Sequence, residues 1–309
     1  MKGFFLQKTI FGIRQWATRL VYSNRFCKGL YKTWSAFHTK RRAVGRAFSG
    51  STTDSSYAGS QELRAFTRYQ TEFSNLPGWF LPQAQAAWDC FLAFQGQQDI
   101  HGNMLEIGVW KGKSAALSTL HARANESCIY VDRLMLSEFK ETIGLIRQSN
   151  HLFLEVASES LPAMPQVMQR GATFRWIHID GEHSGEAVWR DLAVADELLS
   201  DKGILCIDDF PSCAYPQVNF AVVEFLDQHP HLTMIACGHN KGYICRAEIA
   251  PLYLVFIKDE LHRQMKARGA DVTIWKSGRP ADRSCFGITD RVELFDYRGP
   301  DWAPGKIEI

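Results

Sequence analysis

Residues 174–183 read FRWIHIDGEH, and residues 203–209 read GILCIDD. In each stretch an apolar run of strand length ends in carboxylates: Asp180 follows the first run, and Asp208 with Asp209 follows the second. Short apolar runs of this kind are typical of buried strands. Because the carboxyl ends of the strands form the ligand crevice of an open α/β sheet, we expect the three acidic side chains to lie close together.

Clustered carboxylates repel one another unless they are protonated or bound to a cation. An oxygen-rich cluster suits a hard divalent ion such as Mg²⁺. Asp180, Asp208 and Asp209 are therefore predicted metal ligands. The alternative for Asp208 and Asp209 is a solvated turn before Pro211.

His183 stands three residues after Asp180, at the start of the next predicted helix, and returns toward the same crevice. An imidazole titrates near neutral pH and can take a proton from a hydroxyl group. His183 is therefore the predicted catalytic base, and the alternative is a histidine that caps or packs at a helix start. His178 lies inside the strand and is predicted to be a core residue.

A second motif lies upstream, where residues 105–114 read LEIGVWKGKS and pass from a strand into a helix predicted over 113–124. Its glycines have the spacing Gly-x-x-x-Gly, which differs from the Gly-x-Gly-x-x-Gly of dinucleotide sites. Glycines at such a turn let a ligand approach the backbone, and the free N–H groups of a helix start can hold an anion. The next strand ends in Asp132, which is placed to accept hydrogen bonds from ribose hydroxyls or to cap a helix.

The ordered set of strand-tip residues resembles the class I S-adenosylmethionine-dependent methyltransferases. More narrowly, it is similar to the metal-dependent O-methyltransferases of the macrocin and mycinamicin type, which are related to cephalosporin-biosynthesis proteins. The resemblance covers about residues 80–248. It rests on Glu106, Gly108, Gly112, Ser114, Asp132, Asp180, Gly181, Glu182, His183, Asp208 and Asp209.

The resemblance implies a role for each element. The turn with Glu106 and Gly108 would contact the methionine part of S-adenosylmethionine, and Ser114 would meet its carboxylate. Ser158 follows the third strand, in a loop that lies near the adenine in this family, and a helix cap is the alternative. Asp180 is assigned to both the cofactor and the metal. The implied reaction is methyl transfer to a hydroxyl of a small-molecule or glycan-type acceptor, with Mg²⁺ or another divalent cation.

Alternating patterns predict the fold class α/β, with a Rossmann-like, doubly wound and mostly parallel sheet. Strands are predicted at 103–107, 128–131, 151–156, 174–179 and 203–207. Leu232–Ala236 and Tyr243–Cys245 are joined by so short a connection that they must form an antiparallel terminal hairpin. The predicted domains are a basic amphipathic head at 1–53, which is an N-terminal helical segment, a linker with a candidate lid at 54–79, the cofactor-binding domain at 80–248, and a C-terminal extension or cap at 249–309.

The charge is distributed unevenly. Residues 1–53 contain eleven Lys or Arg and no Asp or Glu, so the other 256 residues carry 24 basic and 33 acidic side chains. A basic amphipathic helix with aromatic residues suits an anionic membrane surface. The alternatives are an organelle transit peptide and a helix that docks on the body or on a second subunit of a homo-oligomer. A nucleic-acid partner is not expected.

The eight cysteines are scattered, without zinc spacing, and indicate a reduced, cytoplasmic protein. Two other function classes remain open from the residues. A nicotinamide-dependent oxidoreductase is disfavoured by the glycine spacing and by an acidic crevice that would repel cofactor phosphates. A non-catalytic cofactor-binding scaffold would explain the basic head, but the intact acidic set argues against it.

Overall fold

The predicted strands that end in acidic residues all belong to one mixed sheet. The computed structural model describes residues 63–147, 149–168, 173–277 and 285–290, and the predicted basic head at 1–53 lies outside these ranges. Within them, nine strands join in the order β3-β2-β1-β4-β5-β7-β6-β9-β8. The strands are β1 (Asn103–Ile107), β2 (Ser127–Asp132), β3 (Asn150–Glu155), β4 (Phe174–Ile179), β5 (Leu199–Asp208), β6 (Leu232–Gly238), β7 (Lys241–Arg246), β8 (Val272–Ser277) and β9 (Cys285–Asp290).

The pairing of the strands confirms the predicted fold class. Strands β1 to β5 pair in parallel, whereas β7 runs antiparallel to both β5 and β6. The carboxyl ends of β1, β2, β4 and β5 therefore meet at one edge of the sheet, as the sequence predicts. The predicted hairpin is β6 and β7, and β9 with β8 extends the sheet beyond it.

Helices connect the strands and cover both faces of the sheet. They are α1 (Arg64–Glu72), α2 (Pro82–Gln97), α3 (Lys113–Leu120), α4 (Ser137–Gly144), α5 (Gly185–Leu198), α6 (Pro216–Gln228), α7 (Ala250–Phe256) and α8 (His262–Ala267), with a 3-10 turn at Ser158–Ala163 and a π segment at Ile257–Leu261. Ser184 caps α5, since its hydroxyl accepts a hydrogen bond from the backbone N–H of Ala187 at 3.3 Å. Helix α3 ends at Leu120, four residues before the predicted end.

Two apolar cores lie on opposite faces of the sheet. Side chains alternate along each strand, so Trp176 of β4 packs in the core with α2 and α3. Its neighbour Ile177 packs in the core with α5 and α6. Both cores are closed by helices, which explains why the central strands are apolar on both faces.

Two segments contain helices or strands that the sequence did not predict. The predicted linker at 54–79 contains α1, whose Phe66 and Tyr69 are buried in the core with Phe73. The segment predicted as a C-terminal extension or cap contributes α7, α8, β8 and β9, as far as its described residues extend. Among the described helices, none combines the length and apolar character needed to cross a membrane.

Candidate active site

The glycine turn after β1 is tight enough to require glycine at two points. Gly108 has φ +82° and Gly112 has φ +83°, a left-handed conformation that favours glycine. A Cβ on Gly108 would overlap the backbone carbonyl of Asp180, and a Cβ on Gly112 would lie 2.5 Å from the ring of Phe139. The turn therefore packs directly against the tip of β4.

A cavity of about 540 Å³ opens at the end of the sheet where the parallel strands have their carboxyl ends. The glycine turn, the start of α3 and the acidic tips of β4 and β5 all line it. Its lining residues are Pro77, Gly78, Trp79, Phe80, Gly108, Val109, Trp110, Gly112, Lys113, Ser114, Asp132, Asp180, His183, Asp208, Asp209, Tyr215, Asn240 and Lys241. Eight predicted site residues thus share one cavity.

A second cavity of about 300 Å³ adjoins the first and shares Gly108, Asp132 and Asp180 with it. Ser158 lines this second cavity. The residue before the 3-10 turn is Ala157, so Ser158 is not its N-cap. The hydroxyl of Ser158 instead contacts the buried carboxyl of Asp191, whose pKa burial raises to about 6.

Asp132 lines both cavities and holds the glycine turn. One of its carboxylate oxygens accepts hydrogen bonds from the backbone N–H groups of Val109 at 2.9 Å and Trp110 at 3.1 Å. The other accepts from the N–H of Leu134 at 3.1 Å. The oxygen that accepts from Leu134 has a further lone pair, and binding to a ribose remains a prediction.

Glu106 and Ser114 are brought together beside the first cavity. The Ser114 hydroxyl donates a 2.5 Å hydrogen bond to Oε1 of Glu106. Ser114 lines the cavity, whereas the Glu106 side chain is buried under it, with 2% of its surface exposed. The second oxygen of Glu106 has no hydrogen-bond partner among the described residues.

Asp180, His183 and Asp209 form the part of the acidic cluster that faces the cavity. His183 Nε2 lies 2.7 Å from Asp209 Oδ2 and 3.7 Å from Asp180 Oδ1. The imidazole stacks on Tyr215 with ring centroids 4.2 Å apart. One ligand atom from each of the three residues lies within 4.8 Å of the others. Two carboxylates and an imidazole at this spacing fit a divalent cation.

The same contacts determine where protons lie when no cation is bound. Hydrogen bonds with Asp180 and Asp209 raise the pKa of His183 to about 10. Desolvation and the charge of Asp208 raise the pKa of Asp180 to about 6. The carboxylates therefore stabilise an imidazolium, and a cation that engaged them would remove that stabilisation.

Asp208 is buried and is already hydrogen-bonded. Its Oδ2 accepts a hydrogen bond from Nζ of the buried Lys241. Its Oδ1 accepts from the backbone N–H of Asp209 at 2.7 Å and from the side chain of Asn240 at 3.2 Å. Burial would raise the pKa of Asp208, but the charge of Lys241 and contacts with His178 outweigh it and hold that pKa far below its usual range.

A match to known proteins covers this same region. Residues 105–210 match the family model described as a methyltransferase domain. The matched segment contains the glycine turn, Asp132 and the acidic cluster. It is an S-adenosylmethionine-dependent methyltransferase domain. This match favours methyl transfer over the nicotinamide and non-catalytic alternatives.

Solved methyltransferase structures are similar at low identity. The calicheamicin methyltransferase CalS11 is 16% identical with a TM-score of 0.41, covering 65% of this chain and 99% of that one. An O-methyltransferase from Bacillus cereus in complex with SAH is 17% identical with a TM-score of 0.40, covering 69% and 97%. The mycinamycin-pathway methyltransferase MycE in complex with Mg and SAH is 18% identical with a TM-score of 0.41, covering 60% and 54%. No curated protein sequence matches the chain.

Four buried ionisable side chains lie in a row beneath the methyltransferase cavity. Glu106, His178, Asp208 and Lys241 belong to the adjacent strands β1, β4, β5 and β7. His178 Nδ1 lies 3.2 Å from Glu106, and its Nε2 lies 3.6 Å from Asp208. Burial would lower the pKa of His178, but the charge of Glu106 and contacts with both acids raise it to about 9. His178 is buried, as predicted, but it bridges two charged groups rather than packing only in an apolar core.

Sequence reasoning missed Lys241 and Asn240 in the methyltransferase site. A lysine at the start of the apolar strand 241–246 was the available signal, because lysine is rarely buried without a partner. Asn240 has φ +66°, and its amide also donates to Asp209 Oδ1 at 2.6 Å. Both residues lie after β6, beyond the predicted motifs.

The candidate lid forms a wall of the same cavity. Residues 77–80 line it, and Lys113 Nζ donates to the carbonyl of Gly78 at 3.3 Å. The indole of Trp79 is 90% exposed and stacks on Trp110, with ring centroids 5.3 Å apart. An exposed aromatic pair at a cavity mouth is available to contact a ligand.

Proposed function

We propose that this methyltransferase transfers the methyl group of S-adenosylmethionine to a hydroxyl oxygen of a small-molecule or glycan-type acceptor, assisted by a divalent cation such as Mg²⁺. One observation carries the proposal. A single cavity is lined both by the glycine turn and by the cluster Asp180, His183 and Asp209. A cofactor at the turn and a hydroxyl at the cluster would therefore lie in the same cavity.

The cofactor would extend across the two adjoining cavities. Its methionine part would lie at the glycine turn, where the N-terminus of α3 can receive the carboxylate; the Ser114 hydroxyl donates its one proton to Glu106 and would have to rotate to donate to that carboxylate. Lys113 lines this side of the cavity and adds a positive charge there. Asp132, between the cavities, would accept hydrogen bonds from the ribose, and Ser158 would lie near the adenine in the smaller cavity.

The predicted metal ligands are Asp180, Asp208 and Asp209. The Asp180 and Asp209 carboxylates on the cavity side support a divalent cation, because their oxygens lie within 4.8 Å of each other, and His183 would then be left as the base. When bound, a cation of this kind polarises a hydroxyl and lowers its pKa. The Asp208 carboxylate already accepts a hydrogen bond from Lys241. It would have to share or lose that hydrogen bond in order to bind the cation, whereas Asp180 and Asp209 face the cavity.

The residues of the chain account for the remaining steps. The sulfonium would be oriented by the glycine turn with Val109 and Trp110. The stacked indoles of Trp79 and Trp110 would exclude water. The acceptor oxygen forms a bond to the methyl carbon as the carbon–sulfur bond breaks, leaving S-adenosylhomocysteine. His183 takes the hydroxyl proton on Nε2. Most of the acceleration would come from positioning and electrostatics.

Two measurements test the proposal. Calorimetry should detect S-adenosylmethionine binding to the full chain but no binding of NAD. A release assay for S-adenosylhomocysteine, run against a panel of sugars, glycosides and phenols, should identify the acceptor. Chelator should abolish transfer while leaving cofactor binding intact, and Mg²⁺ should restore it. Absence of S-adenosylmethionine binding would refute methyl transfer. Full activity in the presence of chelator would refute the requirement for a divalent cation.

A further inference from the structure

Lys241 places a positive charge inside the acidic cluster. Its side chain is 2% exposed, and it stands directly opposite Asp208 in the antiparallel pairing of β5 with β7. The register of the sheet therefore fixes the backbone positions of both residues. Their contact follows from strand pairing and not from a mobile surface side chain.

Lys241 has a charged hydrogen-bond partner and two aromatic neighbours in the part of the chain that the structure describes. Its ammonium donates to Asp208, and it lies 5.4 Å and 5.7 Å from the ring centroids of Phe80 and Trp88. The charge of Asp180 also attracts it. A buried ammonium needs such compensation, since removing it from water is costly, and aromatic faces add to it.

We propose that Lys241 is the internal counter-ion of the acidic cluster and that it competes with a divalent cation for Asp208, thereby limiting the affinity of the cation. This inference rests on the cation site of the proposed function. Lys241 is a positioning residue here, because it acts on the cation and the acceptor through Asp208.

The charge balance explains the direction of the effect. Lys241 contributes one positive charge beside Asp208. Without the ammonium, the cluster that faces a cation would be one charge more negative, and Asp208 would lose its hydrogen bond from Lys241. Because attraction between charges a few ångströms apart is strong in a partly buried site, removing Lys241 should tighten cation binding.

The experiment measures Mn²⁺ affinity of the full chain by electron paramagnetic resonance and calorimetry, without an acceptor. Lys241→Met removes the charge, and Lys241→Gln removes it while keeping a donor for Asp208. Both should bind Mn²⁺ at least about ten-fold more tightly than wild type. Lys258→Met is the matched control, since Lys258 is exposed on the π segment, with 57% of its side chain accessible. It should leave the affinity unchanged.

Folding of the variants is checked by melting temperature and by S-adenosylmethionine binding in the same samples. Mn²⁺ should raise the melting temperature of both Lys241 variants more than that of wild type, because a tighter ligand stabilises more. Unchanged or weaker Mn²⁺ affinity in either folded variant would overturn the role of Lys241 while leaving the proposed function standing. If no variant binds Mn²⁺ at all, both this inference and the cation of the proposed function are refuted, whereas intact cofactor binding would still support methyl transfer.

Discussion

Ser114 donates a 2.5 Å hydrogen bond to the buried carboxylate of Glu106, joining the start of α3 to the tip of β1. The two residues are eight positions apart in sequence and enclose the glycine turn. The hydroxyl lies at the cavity surface, whereas the carboxylate lies below it. Ser114 therefore fixes the geometry of the turn from the side that a cofactor would touch.

Replacing Ser114 with alanine should weaken S-adenosylmethionine binding by about 1–3 kcal/mol, because a buried carboxylate oxygen loses its hydrogen bond. Calorimetry measures the change. Ser118→Ala is the matched control, since Ser118 lies on the same helix and its hydroxyl donates only to the helix carbonyl of Ala115. Equal loss of affinity in the two variants would show that the Ser114 contact has no specific role.

Asp132→Ala should reduce cofactor affinity by about 1.5–3 kcal/mol, the usual size for hydrogen bonds to a charged group. The carboxylate now holds the N–H groups of Val109 and Trp110, so the melting temperature should fall as well. Asp227→Ala removes an exposed carboxylate from α6 and serves as the control. Unchanged affinity in folded Asp132→Ala would exclude this residue from the cofactor site.

His183→Ala should lower the rate of methyl transfer by about 10²–10⁴-fold, as expected for a lost general base, while cofactor affinity stays near wild type. The residual rate should rise with pH as the acceptor hydroxyl ionises without help. His262→Ala removes an exposed histidine with 48% of its side chain accessible, and should leave the rate unchanged. A wild-type rate in His183→Ala would remove the imidazole from catalysis.

The buried pair of Arg175 and Glu126 should make stability depend on acid pH. Burial would raise the pKa of Glu126, but hydrogen bonds from Arg175 at 2.8 and 2.9 Å and the guanidinium charge outweigh it and lower that pKa below its usual range. A lowered folded pKa stabilises the fold fully above the unfolded pKa, and this contribution is lost as pH falls through the folded pKa.

Glu126→Gln should therefore lower the free energy of unfolding at pH 7 by roughly 3–5 kcal/mol, because it leaves a buried guanidinium without its counter-charge. The difference from wild type should shrink as the pH drops below about 4.5, which urea titrations at several pH values can measure. Glu72→Gln breaks a half-exposed pair with Arg68 and should cost less than about 1 kcal/mol. A difference independent of pH would contradict an ionised Glu126.

Deleting residues 1–53 should leave S-adenosylmethionine affinity intact but reduce binding to anionic vesicles. Eleven basic residues without an acid are attracted to a negative surface, and salt should weaken that attraction. Co-sedimentation at low and high salt, with neutral vesicles as the control, measures it. If the full chain does not bind anionic vesicles at low salt, the membrane hypothesis is wrong, and targeting or subunit contact remains.

The fold and much of the site could be predicted because both depend on local patterns. Apolar runs ending in Asp132, Asp180 and Asp208 define successive strand tips, and parallel pairing brings such tips to one edge of the sheet. The C-terminal strands β8 and β9 could not be predicted, because their edge pairing depends on contact with β6, far away in sequence.

The sequence by itself determined that a parallel sheet carries a glycine turn and a set of acids at its carboxyl edge, since periodicity and strand order follow from local residue types. Only the tertiary structure decided how those acids are partnered. His178 lies between Glu106 and Asp208, and Lys241 pairs with Asp208 from a strand 33 residues later. These partners come from different strands whose side chains point to the same face. Their contact depends on register and packing, which no local pattern records.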